Sequence, residues 1–507
     1  MTSHPISVPV YNPDEINEIF DRISYGKNYL NAYRYDNAVQ NDLWDYLTVA
    51  VNNSLNVKRV MDSWTLQDGY PVVTLTRDYA RRKAWLTQKR FLLYVTTNET
   101  NGVNKKNYWW EIPITYTTER DANWEPITKL WMTKTNSLKE FMVKEEDIPE
   151  KNEWIIANIQ EVGYYRVNYD VDNWKLIIRQ LVSNHSKIHV INRAQLIDDA
   201  LDMSRAHLLD YHIALNITQY LINEKEFIAW EAALNAFSFL DRMLRRSASY
   251  GLWKVYVLNL INRIYNEITW NVSQDSDTIL DKYLQISIIG WTCKYGHSDC
   301  VQQSLKRFRE WQRRVRDGDY KNPIHPNLRS IVYCTGIEFG SEQDWDFLWN
   351  QYLNTSVASE KDKLLRSLAC TREPWLLSRF ISRAFNGSSG IRKQDGSYVF
   401  RAVASSNYGR DIAYNFLRDQ WDLIVKYFGK SFFSFGSLVK SVTSSMNSEF
   451  ELRQLQEFYN SVKDNVGTAQ RSFMQAIEQT KANVHWMQSH YHEIDIWLSN
   501  TKHLLIR

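Results

Sequence analysis

No run of apolar residues in this 507-residue chain reaches the roughly 20 that cross a bilayer, so no membrane-spanning helix is expected. The N-terminus, MTSHPISVPVYNPDEINEIF, lacks the basic stretch and apolar core of a secretory signal. The C-terminus, IDIWLSNTKHLLIR, lacks the small-residue site and apolar tail of a lipid-anchor signal. Net charge is nearly absent: 61 Lys and Arg against 58 Asp and Glu leave +3. That balance gives no support to nucleic acid or a membrane surface as a whole-chain partner. Cysteine is scarce, with four in all. These absences together describe a cytosolic chain.

What is present describes a folded one. Hydrophobic residues make up 44% and charged residues 23%, which fits a soluble globular protein and argues against disorder. The length exceeds what one core holds, so about two to four domains are expected. Twenty tryptophans and thirty tyrosines supply large amphipathic packing elements, suited to helix interfaces and peptide-binding surfaces.

The stretch Gly163 to Asp170, GYYRVNYD, divides the chain. Ahead of it lie short alternating runs of β-branched and aromatic residues, the pattern of half-buried strands. Behind it, more than three hundred residues carry helical periodicity with almost no strand signal. The expected domains are therefore 1–70, 71–168 and 169–507.

Residues 1–70 open with Pro5, Pro9 and Pro13. Asn12-Pro13-Asp14-Glu15 then reads as an N-cap, proline at the first helical position and acids in the first turn, with Ile16, Ile19, Phe20 and Ile23 on one face. A second helix starts near Asn41. A third starts at Asn56, carries Val57, Val60, Met61 and Trp64, and stops before Gly69-Tyr70-Pro71. Three short helices cannot bury their apolar faces in one another alone, which suggests the end of a larger domain. Strands are predicted at Val72–Leu75, Arg90–Val95, Tyr108–Ile112 and Trp154–Ala157, in a small antiparallel sandwich. Beyond residue 169, Ala233, Phe237, Leu240 and Leu244 step by three and four. Less regularly, with steps of seven among those of three and four, so do Ile412, Phe416, Leu423 and Tyr427, and then Phe473, Ile477, Val484 and Met487. A curved stack of helix pairs is expected. The segment NGSSGIRKQDGS, 386–397, reads as a surface connection.

Few residues suggest chemistry on their own. Cys293, Cys300, Cys334 and Cys370 fit buried thiols, or a zinc site built on Cys293-x₃-His297-x₂-Cys300, which lacks a matching second pair. The helix Ser304–Asp317 carries Lys306, Arg307, Arg309, Arg313, Arg314 and Arg316; a solvated basic face competes with a nucleic-acid patch and with capture of acidic peptide groups. His490-Tyr491-His492-Glu493 lacks the spacing that puts two histidines on one helix face, and reads as a solvated helix. Seven N-x-S/T sequons occur, at Asn52, Asn98, Asn184, Asn216, Asn271, Asn354 and Asn386.

Ordered matches along nearly the whole sequence then identify a resemblance. They include HPISVPVYNPDEINEIFDRISY, VMDSWTLQDGYPVV, GYYRVNYD, INRAQLIDDALDMS, WEAALNAFSFLDRM, NPIHPNLRS, YCTGIEFGSEQDWDFLWNQYLN, EKDKLLRSLACTREPWLL and IRKQD. These resemble the C-terminal portion of the aminopeptidase N family of zinc metallopeptidases. The resemblance implies a multidomain fold: 1–70 as the helical remnant of a thermolysin-like catalytic domain, 71–168 as an all-β sandwich, and 169–507 as an all-α, superhelical, HEAT-like domain. It also implies that Cys293 pairs with Cys300 and Cys334 with Cys370. Two disulfides mean an oxidising compartment, so the resemblance places the chain outside the cell or at its surface, as a glycoprotein. Peptides are the implied substrates, and a homodimer through the helical domain the implied assembly.

The family's chemistry uses H-E-x-x-H with a downstream glutamate to hold zinc and activate water, and a G-x-M-E-N loop for the substrate amine. Neither string occurs in this sequence. No cofactor is therefore expected in the chain alone, which should be inactive. In ISYGK, Tyr25 matches the family tyrosine whose hydroxyl stabilises the oxyanion. The family continues from there with a helix ahead of NYLNAYRYDNAVQNDLW, and that piece is missing here. A non-catalytic peptide-binding or dimerisation module is the alternative expectation.

Overall fold

The computed structural model describes residues 40–50, 52–94, 108–134, 141–270, 278–428, 434–466 and 469–501. The helix expected after Asn12 and the candidate catalytic Tyr25 lie outside them, as do the sequons at Asn98 and Asn271. The chain divides into two compact units, Met1–Tyr220 and Leu221–Arg507.

The first unit opens with α1 (Gln40–Ala50) and α2 (Val57–Thr65). Asn56 caps α2 as its sequence predicts, its side chain accepting from the Arg59 amide at 2.8 Å. Trp64 Nε1 donates to the Glu111 carbonyl at 3.0 Å, tying the helix to the strands. The strands are β1 (Pro71–Asp78), β2 (Lys83–Arg90), β3 (Ile112–Ile114), β4 (Tyr116–Thr118), β5 (Leu130–Met132), β6 (Phe141–Met142), β7 (Ile155–Ala157) and β8 (Arg166–Tyr169). They form a sheet ordered β6-β2-β1-β8 and two ladders, β3-β5 and β4-β7. Val72, Val73, Leu75, Ala84, Leu86 and Val167 are fully buried in it.

Three strand expectations change: of the predicted strand Tyr108–Ile112 only Ile112 is strand, the extended segment being Ile112–Ile114. The run Phe91–Tyr94 is not strand; the preceding segment is, because Ala84 and Leu86 alternate inward while Leu93 is exposed. A continuous apolar run hid the true period-two segment beside it. The sheet is also not purely antiparallel: β8 pairs parallel to β1, Val73 opposite Val167. Residues 79–165 intervene, and a connection of that length permits a parallel neighbour.

Strands this short leave backbone groups for side chains to satisfy. Fully buried Asn158 sits at φ +59° and donates to the Gly163 and Tyr165 carbonyls, both at 3.0 Å. Arg77, nearly fully buried, donates to the carbonyls of Glu153, Pro149 and Glu150 at 2.7, 3.0 and 3.0 Å. The unit continues through α3 (Val171–Asn184), α4 (Val190–Arg205) and α5 (Tyr211–Ile217).

The second unit is helical among its described residues: α6 (Phe227–Leu244), α7 (Tyr250–Glu267), α8 (Ile279–Lys294), α9 (Ser298–Arg316), α10 (Arg329–Glu338), α11 (Glu342–Asn354), α12 (Ala358–Leu368), α13 (Pro374–Ala384), α14 (Lys393–Ser405), α15 (Arg410–Asp419), α16 (Trp421–Phe428), α17 (Ser434–Thr443), α18 (Glu449–Val462) and α19 (Gln470–Thr501). None is long and apolar enough to cross a membrane. Sequential neighbours pack, and α19 returns to α7: Tyr256 meets Trp497 edge-on at 5.0 Å, and the Ser249 hydroxyl donates to Asp495 at 2.5 Å.

The stripe on α6 is buried as predicted, Ala233, Phe237, Leu240 and Leu244 included. That on α15 and α16 is rotated: Ala413, Tyr414, Leu417, Trp421 and Ile424 are buried while Leu423 is exposed. The predicted connection 386–397 ends early, because Lys393–Ser397 already belong to α14. Gly396 is tolerated inside that helix by a close approach: a Cβ there would lie 2.7 Å from the Ala384 carbonyl oxygen.

Candidate functional site

The dividing stretch folds as a loop and strand β8, set against α4. Gly163 is required there, since a Cβ would lie 2.2 Å from the Tyr165 ring. Arg166 reaches α4 and meets three carboxylates lying within about one helical turn: Asp198 at 2.7 Å, Asp199 at 3.0 Å, and Asp202. Asp199 also accepts from the Val167 amide at 3.0 Å. The Arg166 guanidinium stacks near Phe91 and donates through Nε to the Tyr70 hydroxyl at 3.2 Å.

Three acids share this cation, and the charges respond accordingly. Burial pushes the Asp199 carboxyl up to about 7, against the pull of Arg166 and the Val167 amide. Burial raises Asp202 as well. Burial opposes the Arg166 charge, yet Asp199, Asp202 and Asp198 together hold its proton more tightly than usual. The chemistry of this cluster is structural: the guanidinium stands where a cation would have to enter.

In the helical unit, a cavity of ≈ 20 Å³ is lined by Arg242, Arg245, Arg246 and Arg410, with Ser406, Asn407, Ser445 and Asn447 around it. Arg410 is held by Glu451 and by the Ser445 carbonyl at 3.1 Å, and Arg246 by Asp411 at 2.9 Å. Four guanidiniums at one small opening favour an entering anionic oxygen.

The structure links Cys293 to Cys300 and Cys334 to Cys370, with Cα separations of 5.1 and 5.3 Å. The zinc reading of Cys293, His297 and Cys300 is thereby excluded, because both sulfurs are spent on each other. His297 instead sits beside the Tyr265 ring. Along α9, Lys306, Arg313 and Arg316 are exposed, whereas Arg309 grips buried Asp344, 3.0 Å through one nitrogen, and Arg314 pairs with Glu310 at 2.8 Å. The basic face is thus solvated in part and anchored in part. In the His490–Glu493 segment, His490 is buried and lies 3.8 Å from Glu493, so that segment is not simply solvated.

Sequence reasoning missed Asp241, which collects Arg245 at 2.7 Å, Lys294 at 3.0 Å and the hydroxyls of Tyr250 and Tyr295 at 3.0 and 2.9 Å. Its only signal was an acid on the edge of an apolar helix stripe. No group of three or more His, Cys, Asp or Glu among the described residues could hold a metal ion.

Residues 154–482 match the family model described as ERAP1-like C-terminal domain. Over 98% of its length the chain is 34% identical to aminopeptidase N of Homo sapiens and 35% identical to that of Canis lupus familiaris, covering 53% of each. It is 34% identical to the thyrotropin-releasing hormone-degrading ectoenzyme of Rattus norvegicus, again over 98% of the chain, covering 48% of that protein. The chain spans about half the length of the relatives it matches.

Proposed function

The chain belongs to the aminopeptidase N family, matching the C-terminal portion of its relatives, and from that premise we propose that it is the non-metal-binding half of a zinc aminopeptidase that removes N-terminal residues from peptides. The observation that carries this reading is the extent of the match, through GYYRVNYD and both cysteine pairs, in a sequence without H-E-x-x-H or G-x-M-E-N. Residues 1–70 then stand for the end of the catalytic domain, 71–168 for the β-sandwich and 169–507 for a superhelical domain.

Zinc does not fit the residues at hand. The carboxylates of Asp198, Asp199 and Asp202 are filled by Arg166, and the Cys293 and Cys300 sulfurs are bridged. No catalytic step through the metal is derived for this chain. Tyr25 would supply the oxyanion donor only in a molecule that also carries the metal. Alone, the chain is inactive. A fluorogenic aminoacyl substrate assayed with added zinc tests this; turnover abolished by a chelator would contradict it. The two disulfides support an extracellular or cell-surface location, and the glycoprotein assignment goes with it.

A second reading is a non-catalytic module that binds peptides or pairs with another copy. The arginine-lined cavity favours peptide binding, since it has room for a carboxylate oxygen but not a side chain. Fluorescence anisotropy with peptides bearing free or amidated C-termini, together with size-exclusion chromatography, separates the readings: a monomer that binds neither peptide removes the second.

A further inference from the structure

The sequons are the sequence feature that the proposed activity does not use, and the fold distinguishes three of the five that lie among the described residues; Asn52 and Asn354 are exposed as well. At Asn386 the tripeptide Asn386-Gly387-Ser388 is fully exposed between α13 and α14. The Asn386 Oδ1 accepts from the Ser388 amide at 3.1 Å and from the Ser388 hydroxyl at 2.8 Å. At the end of α3, exposed Asn184 Oδ1 accepts from the exposed Ser186 hydroxyl at 2.7 Å. In both, the hydroxyl two residues on polarises the amide carbonyl, leaving the amide nitrogen turned to the other side of the group. Asn216 is the opposite case. It lies within α5, and its sequon partner Thr218 is fully buried, with its hydroxyl donating to the Leu215 carbonyl at 2.8 Å.

We infer that Asn184 and Asn386 are N-glycan acceptors and that Asn216 is not. The donor is an oligosaccharide carried on a lipid pyrophosphate, supplied with its transferase by the secretory pathway. The amide nitrogen forms the bond to the anomeric carbon as that carbon's bond to the pyrophosphate oxygen breaks; one amide proton is released and the lipid pyrophosphate leaves. Attachment at Asn216 would hold α5 away from the residues that bury Thr218, so folding and modification compete there. The inference rests on the extracellular or cell-surface reading above.

The test uses the full chain in two forms: recovered from the cells that make it, and directed into the endoplasmic reticulum by an added leader. Each is deglycosylated enzymatically in heavy-oxygen water and mapped by mass spectrometry. Labelled aspartate is expected at 184 and 386, with unlabelled asparagine at 216, and N184Q and N386Q should each remove one step of gel mobility. Bare asparagines at 184 and 386 in the directed chain, or label at 216, overturn the assignment. Label in the directed chain with none in the chain from its own cells overturns it through the compartment instead.

Discussion

Two buried aspartates, one in each unit, titrate on opposite sides of the ordinary carboxylate range although burial pushes both upward. In the strand-bearing unit, Asp199 shares Arg166 with Asp198 and Asp202, near Tyr70 and Arg205, and its carboxyl is raised to about 7. In the helical unit, burial likewise opposes ionisation of Asp241, but Lys294 and Arg245 with two tyrosyl hydroxyls bring its carboxyl below the usual range. Both are almost wholly enclosed by protein. What differs is the cationic charge set against that burial: Arg166, shared with Asp198 and Asp202, does not offset it at Asp199, whereas Lys294 and Arg245 together do at Asp241.

The largest expected effect removes the shared cation. Arg166→Leu leaves three carboxylates facing one another and should destabilise the first unit by about 3–5 kcal/mol. Hydrogen exchange read peptide by peptide should show the loss in β8 and α4 and leave α6–α8 unchanged. Equal loss in both units would break the comparison.

Next comes the double substitution Cys334→Ser with Cys370→Ser. It opens a loop closed across a separation of 36 residues, and loop-closure entropy puts the loss at about 4 kcal/mol. Opening the Cys293–Cys300 loop, with a separation of 7, should lose about 2 kcal/mol. Denaturant midpoints under non-reducing conditions check the order.

Gly163→Ala should be milder, about 1–3 kcal/mol, because the Tyr165 ring must yield to the new methyl group. Thermal melting compared with Tyr165→Leu Gly163→Ala, which vacates the clash, tells steric conflict from a backbone effect.

The last test is a slope against pH. Asp199 titrates higher when folded than in an unfolded chain, so its contribution is full below about 3.8 and is lost as pH rises toward about 7. Asp241 titrates lower when folded, so its contribution is present above about 3.8 and lost only as pH falls further. Asp199→Asn should flatten the decline in first-unit stability between pH 4 and 7, and Asp241→Asn should not. A decline unchanged in Asp199→Asn would contradict the acid-to-cation account.

Local signals in the sequence were legible where one residue acts on its neighbours. Asn56 caps its helix, the α6 stripe is buried, and the switch from strands to helices falls beside Asp170, whose side chain caps α3. The errors came where packing from afar decides. Leu423 has helical spacing yet faces solvent because Trp421 and Ile424 win the interface, and Phe91 is buried beside Tyr70 without joining a strand. Polar hubs were the least legible. Arg77 and Asp241 gather partners from segments far apart in sequence, Asn158 bonds carbonyls five and seven residues on, and no periodicity marks them.

On the proposed reading, the residues of this chain do not themselves hold zinc. Equilibrium dialysis of the full chain against micromolar zinc, with metal content measured per chain, addresses it directly. Zinc no higher on the protein side than in the buffer is the predicted result; one tightly held zinc per chain, displaced by a chelator together with aminopeptidase turnover, would contradict it.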